Sequence, residues 1–204
     1  MRIILVVLVG FLVACSEQGV DRIHEIPLST EIETTNGKVV GNARQEGLLE
    51  FLGIPYASAP VGELRWQPPQ PIEDWKGKLD ATKAGLPCVQ PATLSEFYAR
   101  AYSETSEDCL TLNVWSRATS SSDKLPVMVW IHGGALVMGS GRDYDGAALT
   151  SKGVVVVTIN YRLGPFGFFA HPGLSSESID GVSGNQGFRD QIAALEWVRD
   201  NIEN

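Results

Sequence analysis

Four consecutive residues, His132-Gly133-Gly134-Ala135, stand directly after the apolar run Val127-Met128-Val129-Trp130-Ile131. Small residues at the end of a strand let the main chain approach a ligand with no side chain in the way. Their N–H groups can then converge on one developing negative charge. The tetrahedral oxyanion of acyl transfer needs such donors, and losing one typically costs about 10²–10³ in rate. Taken alone, the same four residues also read as a tight turn. No nucleophile elbow of the form G-x-S-x-G accompanies them: Gly181-Val182-Ser183-Gly184-Asn185 misses the final Gly, and Gly139-Ser140-Gly141 lacks the outer spacing. Of the three histidines, His24 lies near the start, His132 belongs to the loop, and His171, beside Pro172, reads as a loop residue and not a catalytic base. No His/Cys/Asp/Glu run has metal-ligand spacing, so neither a metal nor a cofactor is expected.

The elements that must position this loop follow from hydrophobic patterning. Val127–Ile131 and 154–159 are continuous, mostly β-branched apolar runs, the pattern of strands buried on both faces in a sheet covered by helices. Residues 31–42 form polar-apolar segments on either side of Asn36-Gly37, the strongest short hairpin signal. Residues 48–54 are a further apolar run ended by Pro55, and residues 110–115 alternate as a strand. The stretch from Gly53 to Pro71 holds five of the eleven prolines and is extended loop. Residues 119–124 are a Ser-rich turn. From Gly187 to Ile202 the apolar positions Phe188, Ile192, Leu195, Val198 and Ile202 fall at spacings of 4, 3, 3 and 4, the single stripe of an amphipathic helix. The expected class is α/β.

Composition agrees. Of 204 residues, 44% are hydrophobic and 20% charged, which is globular and not disordered. A net charge of −8 with only 16 Lys and Arg leaves no electrostatic footprint for nucleic acid. The first residues differ from this body. Met1-Arg2 is a positive start, and Ile3 to Ala14 is apolar apart from Gly10. Twelve residues are fewer than the ~20 a bilayer-spanning helix needs, and the pattern reads as a secretory signal. Its end, Leu12-Val13-Ala14-Cys15, resembles the lipobox of bacterial lipoproteins, although an ordinary signal with a chance Cys, or a buried strand, would also fit. The resemblance implies a lipid on Cys15, removal of residues 1–14, a polar tether over 15–27, and an exported, membrane-anchored protein. Ser16 in place of Asp after the Cys implies the outer membrane. With Cys15 lipidated, Cys88 and Cys109 remain, an even number in an oxidising compartment, and a disulfide is the expectation over two buried thiols.

HGGG-type loops supply half of the oxyanion hole in lipases and esterases, and the neighbouring segments strengthen that reading. Residues 106–115, Ser-Glu-Asp-Cys-Leu-Thr-Leu-Asn-Val-Trp, closely resemble a signature of the type-B carboxylesterase/cholinesterase family. Phe51-Leu52-Gly53-Ile54-Pro55-Tyr56-Ala57, Pro60-Val61-Gly62-Glu63-Leu64-Arg65-Trp66, Asn160-Tyr161-Arg162-Leu163-Gly164, Gly184-Asn185-Gln186-Gly187 and Asp190-Gln191 continue in family order. The resemblance covers essentially all of residues 30–204, and 28–204 reads as the N-terminal part of such a domain. It implies the N-terminal part of an α/β-hydrolase fold: an N-terminal hairpin and a mostly parallel central sheet, ending before the nucleophile elbow. It also implies ester hydrolysis through an acyl-enzyme on a small-molecule ester. Gly134 and Ala135 would be the oxyanion donors, supported by His132 and Gly133. Cys88 would pair with Cys109, and the ion pairs would be Arg65 with Glu107 and Arg162 with Asp190. The nucleophilic Ser, the acid and the His are expected beyond Asn204, so the 204 residues alone are expected to be inactive. A Trp facing a choline cation has no counterpart in residues 89–108, which favours uncharged acyl esters. A catalytically inactive, cholinesterase-like adhesion protein is the alternative.

Overall fold

The computed structural model describes residues 29–92 and 102–203. The signal, tether and lipidation site, together with the end of the chain, lie outside the described residues. The first sheet is the expected hairpin with one addition. Strands β1 (Glu31–Thr34) and β2 (Gly37–Val40) pair antiparallel across Thr35-Asn36, and β5 (Lys78–Asp80) adds parallel to β2. Gly37 has φ +129°, and a Cβ there would lie 2.9 Å from the Trp75 indole nitrogen. Only glycine fits that corner.

The second sheet runs β3 (Asn42–Ala43), β4 (Leu49–Pro55), β6 (Thr111–Ser116), β8 (Val155–Ile159), β7 (Val127–Ile131). The α/β class holds, but among the described strands of this sheet only β7 and β8 pair parallel; the other neighbours are antiparallel. The reason is connectivity, since a parallel pair needs a crossover. The crossover between β7 and β8 carries the short helix α1 (Ala147–Thr150). The two apolar runs also differ from expectation. All five residues of β8 are buried, but β7 is an edge strand among the described residues, with Val127, Met128, Trp130 and Ile131 39–44% exposed.

Beyond β8 come two short helices that hydrophobic periodicity did not mark, α2 (Gly164–Phe168) and α3 (Pro172–Glu177), each with Pro in its first turn. Pro is tolerated there because that N–H has no helical partner anyway. Helix α4 (Gln186–Asn201) forms where the apolar stripe predicts a helix, and among the described residues it packs mainly through another face. Phe188, Ile192 and Leu195 are 44–56% exposed, while Gly187, Asp190, Ala194, Trp197, Val198 and Asn201 are buried. Asp190 is bound to Arg162, and a Cβ on Gly187 would stand 2.6 Å from the Arg162 carbonyl oxygen. A buried charge pair and a close backbone contact therefore hold this face of α4, and the described residues leave Phe188, Ile192 and Leu195 uncovered. Val198 and Ile202 still join the core cluster of β4, β6 and β8 side chains, and Asn201 Oδ1 accepts from the Thr35 N–H at 2.7 Å, tying α4 to the hairpin.

Candidate active site

The chain leaves β7 at Ile131 and turns at once. His132 is 2% exposed, and its ring stacks on Tyr161 with centroids 4.5 Å apart. Its Nδ1 lies 2.9 Å from the Gly133 carbonyl oxygen, and its own carbonyl accepts from the Tyr161 hydroxyl at 2.9 Å. Burial raises the Tyr161 pKa above its ordinary value of 10, with Tyr144 adding to the shift, so that hydroxyl stays a donor. His132 is thus a wedge under the loop, built into its wall.

Gly134, Ala135 and Leu136 follow with φ of +120°, +53° and +62°. A Cβ on Gly134 would lie 2.0 Å from the Met138 carbonyl oxygen, so glycine is required there. Ala135 and Leu136 hold left-handed conformations at about 1–3 kcal/mol each, which persist only where the surroundings over-determine them. The surroundings here are explicit. The Gly134 carbonyl accepts from the Val137 and Met138 N–H at 3.0 and 3.1 Å, and the Leu136 carbonyl accepts from Gly164 at the start of α2 at 2.7 Å. Among the described residues, no acceptor meets the Gly134 or Ala135 N–H. The tight turn thus leaves two successive amides unengaged among the described residues, the kind of main-chain concavity that can bind anions.

Asn160, directly after β8, holds the far side. Its Oδ1 accepts from Ser140 Oγ and the Gly141 N–H, each at 2.9 Å, and its Nδ2 donates to the Leu86 carbonyl at 3.1 Å. Its carbonyl accepts from the buried Tyr56 hydroxyl at 2.7 Å. The sequence places Asn160 in a motif but gives it no role; an amide side chain directly after a mostly apolar, wholly buried strand is the signal that could flag it.

Cys88 and Cys109 form a disulfide, with Cα atoms 5.1 Å apart and a sequence separation of 21. A loop of this size corresponds to about 3 kcal/mol of chain-entropy stabilisation. Replacing both cysteines by Ala is therefore expected to lower unfolding free energy by about 3 kcal/mol in urea titration; an unchanged midpoint would contradict this. Arg65 meets Glu107 through two bonds of 2.5 Å, just before Cys109 and partly exposed. Arg162 and Asp190 are 3% and 0% exposed and paired at 2.7 and 2.8 Å, with Asp190 also accepting the Arg162 N–H and Arg162 Nη1 donating to the Gln67 carbonyl. His171 caps α3, its Nδ1 accepting from the Gly173 N–H at 3.1 Å. Among the described residues, no cluster of three His, Cys, Asp or Glu side chains could hold a metal. A cavity of about 310 Å³ lies between the β1–β2 turn and the end of α4, sharing no lining residue with the loop.

A family model, the carboxylesterase family, matches residues 28–204. A fumonisin B1 esterase of Sphingopyxis macrogoltabida is 51% identical over 172 residues, covering 83% of this chain and 31% of that protein. A para-nitrobenzyl esterase of Bacillus subtilis (strain 168) is 48% identical over 174 residues, covering 84% and 34%. Among solved structures, a PNB esterase superposes with a TM-score of 0.75 at 45% identity, over 85% of this chain and 35% of that one. A Geobacillus stearothermophilus carboxylesterase gives 0.74, with the same identity and coverage. The chain spans about a third of the length of the curated relatives it matches.

Proposed function

Because this chain belongs to the carboxylesterase family, we propose that it forms the oxyanion-binding part of a serine carboxylic-ester hydrolase whose nucleophile, acid and base follow Asn204. The observation that carries this reading is the strained turn at 134–136, with two unengaged amides at the C-terminal end of β7. A Ser hydroxyl, deprotonated by His, would attack the ester carbonyl carbon. The carbonyl electron pair moves onto oxygen, and the Gly134 and Ala135 N–H groups hold the resulting charge, joined by the amide after the nucleophile. Collapse expels the alcohol, protonated by the His, and leaves an acyl-enzyme that water hydrolyses by the same steps. The substrate class is a small-molecule ester, with uncharged acyl esters favoured. Nothing observed favours an inactive adhesion protein, which would have no use for a strained donor loop.

Two proteins test this: residues 1–204 alone, and the same chain with its natural continuation. The short one should not hydrolyse p-nitrophenyl acetate above a denatured control, because it has donors but nothing that generates the charge. The long one should turn over, and a fluorophosphonate should label a Ser in G-x-S-x-G within about 10–20 residues of Asn204. A continuation with no labelled Ser would refute the reading.

The same protein is proposed to be exported and anchored in the bacterial outer membrane through lipid on Cys15. Met1-Arg2, the apolar run to Ala14 and Leu12-Val13-Ala14-Cys15 support this. Among the described residues no helix is long and apolar enough to cross a membrane. Three acyl chains would exceed the two membrane signals that stable anchoring takes. Wild type should therefore fractionate with membranes and Cys15→Ser with the soluble fraction; identical soluble partitioning of both would overturn the anchor.

A further inference from the structure

Gln90 lies inside the segment closed by the Cys88–Cys109 bridge, half-buried. Its carboxamide is fully engaged with main chain. The Gly139 N–H donates to Oε1 at 2.8 Å, and Nε2 donates to the Gly139 carbonyl and to the Cys88 carbonyl, each at 3.0 Å. Donor and acceptor chemistry admit one orientation of the amide: a main-chain N–H requires its oxygen, and two carbonyls require its NH₂. The pair with Gly139 repeats the two-point geometry of a strand rung, across 49 residues of sequence. The third bond fastens the same amide to the base of the disulfide arm.

Gly139 is where the turn that begins at Gly133 closes. It has φ +115°, and a Cβ there would stand 2.5 Å from His132 Nδ1 and 2.7 Å from the Gly133 carbonyl oxygen. The two ends of the oxyanion loop are thus in van der Waals contact, and displacement of Gly139 is felt at Gly133 and the amides that follow. Between them sit Ala135 and Leu136 in their left-handed conformations. Asn160 holds the next residues, Ser140 and Gly141. At Gly139 itself, the holding group is Gln90.

We propose that Gln90 is a positioning residue for ester hydrolysis, clamping the oxyanion loop at Gly139 so that the Gly134 and Ala135 amides stay where charge develops on the carbonyl oxygen. The inference rests on the esterase reading above. Gln90 touches no reacting atom. Its effect belongs to the transition state, where the oxygen is charged, more than to the bound ester, where it is not.

The test uses the complete esterase, wild type first. Absence of both p-nitrophenyl acetate turnover and fluorophosphonate labelling in wild type would sink the esterase reading and this inference with it. In an active wild type, Gln90→Met keeps the side chain's length and removes the amide. Gln90→Glu keeps the acceptor for Gly139 but turns an anion toward two carbonyls. Each should lower kcat by about 10²-fold, the size of effect expected of a small misplacement at the reacting centre. KM should move less than about threefold. Affinity for a trifluoromethyl ketone, whose adduct carries the oxyanion, should fall by the same factor as kcat/KM. A merely structural Gln90 would shift the melting temperature without that parallel loss. Full kcat/KM in either folded variant, a loss confined to KM, unchanged ketone affinity, or failure of both variants to fold would overturn the proposal.

Discussion

Gly134→Ala in the complete esterase is expected to lower kcat/KM by about 10²–10³, the range seen when an oxyanion donor is lost. The added Cβ would sit 2.0 Å from the Met138 carbonyl oxygen and 3.0 Å from the Met138 side chain, and φ at this position is +120°. The turn must open to admit it, and opening it moves both the Gly134 and Ala135 amides. Ala135→Gly is the matched control. Glycine adopts φ +53° freely, keeps the N–H, and should retain activity within several-fold of wild type. Proline at 135 would delete that N–H outright but is a poor probe, because it fixes φ near −65° where the structure has +53°. Comparable kcat/KM values for wild type and Gly134→Ala would contradict the assigned donors.

Asp190→Asn is expected to cost about 3–5 kcal/mol of unfolding free energy, because it leaves a guanidinium buried without its counter-charge. Arg162 has no route to water: it is 3% exposed, and Asp190 accepts three of its hydrogen bonds. The same pair fastens the buried face of α4, so its loss weakens the packing of Gly187, Ala194 and Trp197 as well. Denaturant titration reads this as a lowered midpoint at unchanged slope. Exchanging both residues for Met and Leu should recover much of the loss, since apolar replacement of a buried pair is often neutral. A loss under about 1 kcal/mol for Asp190→Asn, as for an exposed pair, would contradict the account.

The parts of this site that rest on residue type could be read from sequence. Two cysteines and matched charges in family order carry their pairing in their identity, and the disulfide and both ion pairs are present. The parts that rest on geometry could not. Ala135 and Leu136 are not residue types that advertise left-handed φ, so the strain at the turn is invisible until the backbone is seen. Gln90 and Gly139 are 49 residues apart, and nothing local to either predicts the meeting. The amphipathic stripe predicts the helix of α4, but the buried face carrying Asp190 and its partner Arg162 gives no signal to a periodicity that weighs only apolar side chains. The two apolar runs form β7 and β8, as their patterning predicts.

The central claim is that the Gly134 and Ala135 amides receive the oxyanion. A crystal structure of the complete protein, covalently phosphonylated on its nucleophilic Ser, tests it most directly. The phosphonyl oxygen is predicted to lie about 2.7–3.1 Å from both the Gly134 and Ala135 nitrogens, the distance expected of oxyanion donors. An adduct whose oxygen is held by other groups, with these two amides bonded to protein acceptors, would contradict it.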